Sequence, residues 1–240
     1  MKLQISFFNY DIGKGIESMY KPVPRITGNL RSYMIKVPEI IREASGIVIL
    51  GRKIKSLAFT TDIAIIENID ADAIWAVYPF TPQPTITHAI MTCSDVPVFC
   101  GVGGGVTNGQ RSSNLALHAE FQGAIGVVLN APSSNDTVNM MKQTIDIPVA
   151  ITVVSDNLQK IEDRINAGAD ILNVAAGKNT SKVVKIIKQH FSNIPIIATG
   201  GGDEEVIKET IEAGANAIIY NPPSTLEIFR SRMDVYRNEY

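Results

Sequence analysis

Two cysteines in 240 residues are too few for a disulfide framework. Cys93 and Cys100 also lack the spacing of a metal-binding pair, so both are expected as core thiols. Histidine is nearly as scarce. His88, His118 and His190 all fall on amphipathic stretches rather than at strand ends, which argues against a paired-histidine metal hydrolase or a serine-histidine nucleophile. No His, Asp and Glu cluster has ligand spacing, so no metal site is expected. No apolar run is long enough to span a bilayer, and the first residues carry no sustained apolar segment, so the expectation is a soluble, cytoplasmic protein with no membrane partner. Excess charge is missing too. A formal net charge of −2 gives no broad positive field, which argues against nucleic acid as a partner.

What the chain has is a repeated phrase. Asp95-Val96-Pro97-Val98, Asp146-Ile147-Pro148-Val149 and Asn193-Ile194-Pro195-Ile196 alternate with Asp70-Ala71-Asp72-Ala73, Gly123-Ala124-Ile125-Gly126, Gly168-Ala169-Asp170-Ile171 and Gly214-Ala215-Asn216-Ala217. Each phrase is a helix exit or loop followed by an apolar run, and the phrases recur roughly every 46 to 52 residues, the length of two strand-helix units. Hydrophobic residues make up 45% of the chain, enough for one large core. The pattern predicts an α/β protein, a (β/α)8 TIM barrel over residues 46–240, with residues 1–45 as an N-terminal arm and helix packed on it.

Eight continuous apolar runs are expected as parallel strands buried on both faces: residues 56–59, 74–78, 98–101, 125–130, 149–153, 171–175, 196–199 and 217–221. Counting residues 47–50 as the first strand is the alternative. Residues 157–166, 181–190 and 204–213 have helical periodicity. Gly123, Gly168 and Gly214 stand where helices should end, and Pro97, Pro148 and Pro195 where strands should begin. Residues 46–59 could form a hairpin at the barrel floor leading into the first strand. The arm carries Phe7, Phe8, Tyr10, Tyr20 and Tyr33, too many aromatics for a disordered tail. A helix is expected near residues 38–44.

In such a barrel, ligands meet the carboxyl ends of the strands. The seventh end reads Thr199-Gly200-Gly201-Gly202 and the eighth Asn221-Pro222-Pro223-Ser224, each followed by a helix start, an arrangement in which backbone N–H groups can hold a phosphate. Through residues 168–173, 196–202 and 214–221 the chain resembles the phosphate-binding TIM barrels, a superfamily that includes thiamine-phosphate synthase, thiazole synthase, N-acylmannosamine-phosphate epimerase and the IMP dehydrogenase-like flavin barrels. The resemblance implies a phosphate grip at those two loops. It also departs from that pattern, because Pro222 and Pro223 remove two N–H donors where the group has a glycine and a small residue.

Other rim residues extend the candidate site. Gly104, within the Gly103-Gly104-Gly105 run, and Arg111 beyond it could meet an anion. Asn130, Asn173 and Asn221 end the fourth, sixth and eighth strands and could converge on one ligand. Asp62 and Lys178 are the acid-base candidates; helix capping competes for Asp62, as it does for Asp156 and Asp203. Catalytic roles are therefore assigned to Asp62, Asn130, Asn173 and Lys178, and ligand binding to Thr199, Gly200, Gly201, Gly202, Asn221, Ser224, Gly104 and Arg111. The function expected is an isomerase, lyase or synthase acting on a small phosphorylated or anionic metabolite. Alternatives are a non-catalytic metabolite-binding or sensing barrel, an FMN-dependent enzyme and a metal-independent hydrolase. No cofactor is assigned with assurance, and the aromatic arm is a candidate surface for a homodimer.

Overall fold

The computed structural model describes residues 33–200 and 203–239, with residues 24, 26, 28 and 29. The chain divides into two compact units, Met1–Met34 and Ile35–Tyr240. In the first, Phe7, Phe8, Tyr10 and Tyr20 lie outside the described residues, while Tyr33 is exposed. The second contains the barrel.

The second unit begins with a 3-10 turn, Glu39–Glu43, where a helix over 38–44 was expected. Pro38 enters extended and Ala44 leaves extended, so only five residues remain, too few for a stable α-helix. Strands β1 (Ile47–Ile49) and β2 (Arg52–Ile54) form an antiparallel hairpin, with Ile49 opposite Arg52 across a two-residue turn. Leu50 and Gly51 both have positive φ, +47° and +80°, as the tightest hairpin turn demands. This is the floor hairpin read from the sequence. Ile49 and Ile54 turn inward and pack in one buried cluster with Leu57, Trp75 and Phe99.

Eight parallel strands then close on themselves: β3 (Ser56–Phe59), β4 (Ala73–Ala76), β5 (Val98–Gly103), β6 (Gly126–Leu129), β7 (Val149–Val153), β8 (Ile171–Val174), β9 (Ile196–Thr199) and β10 (Ala217–Tyr220). Strand β10 pairs with β3, so the sheet is a closed barrel. Alternation within each strand separates two cores. Inward residues such as Trp75, Phe99, Val128, Ile197 and Ile219 fill the barrel, and outward residues such as Ile74, Cys100, Leu129, Leu172 and Ile218 pack under the helices. The helices are α1 (Ile63–Ile66), α2 (Pro84–Cys93), α3 (Gln110–Phe121), α4 (Asn135–Lys142), α5 (Leu158–Asn166), α6 (Thr180–His190), α7 (Glu204–Glu212) and α8 (Thr225–Glu239).

The repeated phrase has a physical role at the floor. Its polar third residue accepts the first N–H of the preceding strand: Asp72 takes those of Lys55 and Ser56, Asp170 that of Val149, and Asn216 that of Ile196. Each would otherwise be an unpaired donor at the barrel entrance. Gly123, Gly168 and Gly214 follow their helices at φ +90°, +108° and +110°, the conformation of a C-terminal cap.

One strand departs from expectation in a useful way. β5 runs two residues beyond 98–101, with a register shift against β6 between Gly101 and Gly103. A Cβ on Gly103 would lie 2.2 Å from Ser112 Oγ and 2.8 Å from the Thr107 carbonyl, so the backbone there admits only hydrogen.

Two substitutions measure these constraints. Gly103→Ala should lower unfolding free energy by about 2 kcal/mol, through overpacking against backbone. Leu50→Asn should raise it by about 0.5 kcal/mol, because asparagine tolerates the left-handed turn that leucine resists. Urea denaturation with unchanged slope is the readout for both.

Candidate functional site

At the carboxyl rim a hollow lies beside β4, β5 and β6. It has a volume of about 520 Å3. Gly101, Gly103 and Gly104 form its floor; Tyr78, Pro79, Phe80 and Pro82 make one wall, and Gly105, Val106 and Thr107 the other. Glycine is needed here because neighbouring strands leave no space: a Cβ on Gly104 would sit 2.5 Å from that of Asn130. The 78–82 wall is fixed by its own chain, since the Gln83 N–H donates to the Tyr78 hydroxyl at 2.9 Å. Three prolines, Pro79, Pro82 and Pro84, stiffen the same stretch. Among the described residues no charged side chain lines the cavity. Its polar groups are the Asn130 amide, the hydroxyls of Tyr78, Thr81 and Thr107, and backbone.

Among the described residues, the Gly105 and Val106 N–H groups have no hydrogen-bond partner. Those of Gly104 and Thr107 are taken by a reciprocal pair of bonds between the two residues. Gly105 has φ +60° with open space around it, so the lip presents two adjacent unpaired donors.

The three asparagines do not form a ring. Asn173 is an inward residue of β8, 4% exposed, donating to Thr152 Oγ1 at 3.2 Å and accepting from Thr199 Oγ1 at 3.3 Å. This polar belt ties together three adjacent strands, β7, β8 and β9, so the side chains of Asn173 and Thr199 serve each other. Asn221 lies beyond β10 and is exposed. Asn130 alone lines the main cavity.

In the loops after β9 and β10, Gly200 and Ser224 already have partners within the chain. The Gly200 N–H donates to the Ile219 carbonyl, continuing the sheet rather than facing a ligand. Gly201 and Gly202 lie outside the described residues. Ser224 caps α8 in a reciprocal box: its N–H and hydroxyl both donate to Glu227 Oε2 at 2.7 Å, and its oxygen accepts from the Glu227 N–H. Those bonds hold the Glu227 carboxyl below its ordinary pKa. Thr225, the next residue, donates to Asp62 Oδ2 at 2.5 Å. Two carboxylates therefore stand at the helix end where a phosphate or a flavin phosphate would otherwise lie.

Asp62 is a cap. Its Oδ1 accepts the Ala64 N–H at 2.9 Å while Oδ2 holds Thr225. The Thr225 hydroxyl, helped by the α1 amides and opposed by partial burial, lowers its pKa. Both oxygens are engaged, which suits anchoring more than proton transfer. Lys178 sits in an exposed 3-10 turn, Gly177–Asn179, and Arg111 on the exposed first turn of α3; neither lines the main cavity. Asp156 does not cap α5, because Asn157 does, accepting the Lys160 N–H. Asp203 occupies the cap position of α7 without a side-chain bond.

Sequence reasoning ended a strand at residue 78 and gave no role to Pro79-Phe80-Thr81 directly after it. The available signal was the run from Tyr78 to Pro84, two aromatics and three prolines directly after a strand, an unusual density of stiff residues for a loop. Among the described residues no group of three or more His, Cys, Asp or Glu side chains is placed to hold a metal ion, and no helix is long and apolar enough to cross a membrane.

No protein-family model matches the sequence, and no curated protein does. Solved structures do match in fold. Phosphonopyruvate hydrolase aligns with TM-score 0.61 at 11% identity over 80% of this chain and 82% of its own. The aldolase QR15 aligns with TM-score 0.54 at 20% identity over 68% and 87%. Dihydrodipicolinate synthase DapA-2 from Bacillus anthracis aligns with TM-score 0.52 at 16% identity over 69% of each chain. At these identities the likeness establishes the barrel and nothing finer. Another structure of the hydrolase is a complex with oxalate and Mg2+. The main cavity here does not fit that ion, since Mg2+ is bound through carboxylates and none lines it.

The Asp62–Thr225 bond gives a pH prediction. Asp62 has a folded-state pKa below its unfolded value, so its bonds contribute stability that is complete above the unfolded value and lost as pH falls through the folded one. Thr225→Val should raise the Asp62 midpoint toward the ordinary range in a carboxyl NMR titration, and acid unfolding should begin at higher pH. An unchanged midpoint would show that the hydroxyl does not set it.

Proposed function

We propose that this barrel is an enzyme of the isomerase, lyase or synthase kind that acts on a small anionic metabolite held in the cavity beside β4, β5 and β6. The observation that carries the proposal is that cavity: about 520 Å3, at the carboxyl rim, floored by glycines and walled by aromatics and proline. Its volume falls within the range of small-molecule sites, and its location is where barrels of this architecture bind their ligands. The fold neighbours named above, a hydrolase, an aldolase and a synthase, support the enzyme reading by analogy.

The residues suggest a division of labour. Phe80 and the prolines cover the carbon skeleton, and the unpaired N–H groups of Gly105 and Val106 receive an anionic oxygen. The Tyr78 hydroxyl accepts from Gln83, which leaves its proton free for a substrate oxygen. Together with the Asn130 amide it would stabilise charge developing on a carbonyl oxygen, as enolate-forming isomerases and lyases require. A second reading, a non-catalytic binder, is favoured by one feature: among the described residues no carboxylate, lysine or histidine lines the cavity to move a proton from carbon.

A panel of oxalate, pyruvate and three- to six-carbon sugar phosphates separates the two. Ligand-dependent thermal shift combined with NMR detection of product should identify a compound that is both bound and converted. Phe80→Ala removes a side chain that is 74% exposed, so it should fold normally and weaken binding about five- to tenfold. Tyr78→Phe should lower kcat more than affinity. Binding without conversion across the panel selects the binder, and affinity unchanged by Phe80→Ala removes this cavity from the function.

A further inference from the structure

We propose that a second rim pocket, between α4 and α5, is a binding site for a phosphate-type oxyanion carried by Arg164 and Lys160. The pocket has a volume of about 350 Å3 and shares no lining residue with the main cavity. Its walls come from Ala131, Ser134 and Asn135 on one side, and from Ser155, Asn157, Lys160 and Arg164 on the other.

Arg164 is the reason. Its guanidinium is half-buried and held by neutral groups: Nη1 donates to Asn135 Oδ1 at 2.7 Å and Nη2 to the Ala131 carbonyl at 3.1 Å. A cation drawn out of water ordinarily gains a carboxylate partner. Among the described residues Arg164 forms no ion pair within 4.0 Å. Two of its five N–H groups are used, which leaves three in a planar fork suited to oxyanions. Burial disfavours its charged form more than the nearby Asp163 carboxylate favours it, and a bound anion would add to that favourable side.

The surroundings are consistent with that occupant. Lys160 lies one helical turn earlier on the same face of α5, and it also has no ion pair among the described residues. Asp163 is the opposing charge in the lining, and its carboxylate accepts from Gln159 rather than from Arg164. Two cations against one carboxylate leave a net positive pocket.

The competing role for Arg164 is a strut that ties α5 to the loop after β6. That role uses two donors, involves no part of Lys160 and predicts no response to anions. The test uses inorganic phosphate and glycerol phosphate on the full chain, with chloride at matched ionic strength as control. Thermal stability should rise with phosphate, and amide resonances of residues 134–135 and 157–160 should move with it. Lys160→Gln, at an exposed position, should fold as the parent does and weaken phosphate binding about tenfold; Arg164→Lys, which keeps the charge but loses the fork, should abolish it. Phe80→Ala should leave it intact, so failure of the main-cavity proposal and failure of this one are distinguishable. Phosphate affinity equal in the parent and Lys160→Gln, or no response in those amides, overturns the site and leaves Arg164 a strut. Tighter binding of glycerol phosphate than of free phosphate would identify a phosphorylated metabolite as the occupant, and the reverse order the free ion.

Discussion

Closure of β10 onto β3 is the constraint on which everything else in this molecule depends. Ile218 stands beside Ser56 and donates its N–H to the Lys55 carbonyl, sealing a ring with no sheet edge. A ring fixes strand order and so fixes which loops share the rim. It also creates a cost at the floor, where first N–H groups project beyond their partners. Asp72, Asp170 and Asn216 meet that cost, and this is why the repeated phrase carries a polar third residue. Ile125 occupies the same place in the phrase after α3 and joins the inner core instead, so the repeat serves packing there and hydrogen bonding elsewhere.

The filled interior divides the rim into two unlike halves. On the β7–β9 side, Thr152, Asn173 and Thr199 bond one another across adjacent strands, satisfying polar groups that burial would otherwise penalise. On the β5 side the inward position Gly101, paired with the inward Val128, has no side chain to reach the axis, and the bulge beyond it turns Gly103 toward α3. Trp75 and Phe99, with ring centroids 5.3 Å apart, fill the barrel below Gly101. The hollow at the rim is what remains when bulk ends one layer down and glycine begins. Its position follows from composition along a single strand and its bulge, not from the loops that give such barrels their usual phosphate grip.

Much of this was legible in the sequence, because burial leaves a one-dimensional trace. β3, β7 and β9 carry continuous apolar runs with sharp ends and were read to the residue, and the floor hairpin falls within the 46–59 stretch read as one, with Gly51 at its turn. The site was less legible, for physical reasons that differ by residue. Asn173 occupies an inward position as expected, yet its partners come from strands 21 and 26 residues away, a pairing no local pattern encodes. Ser224-Thr225-Leu226-Glu227 did hold a local signal, since serine followed three residues later by glutamate is a capping box, and that reading competes directly with phosphate at the same helix end. The Tyr78–Pro84 wall was visible as stiffness but its facing surface, Gly103–Thr107, adjoins it only after β4 and β5 pair.

Charge completes the asymmetry. The α8 entrance is negative, with Glu227 and Asp62 both kept ionised by the donors around them. The main cavity is neutral, and the pocket between α4 and α5 is positive. Among the described residues Arg164 and Lys160 have no ion pair within 4.0 Å, as is also true of the exposed Arg111 and Lys178 elsewhere on the rim. Because unlike charges on a small ring are separated by only a few strands, an anion approaching the mouth is turned away from α8 and drawn toward the opposite side, whichever reaction is carried out there. The neutral cavity between them then selects by shape and hydrogen bonding. Under the proposed role a ligand there would offer carbon to Phe80 and an oxygen to Asn130 or Tyr78, a narrower demand than charge alone would set.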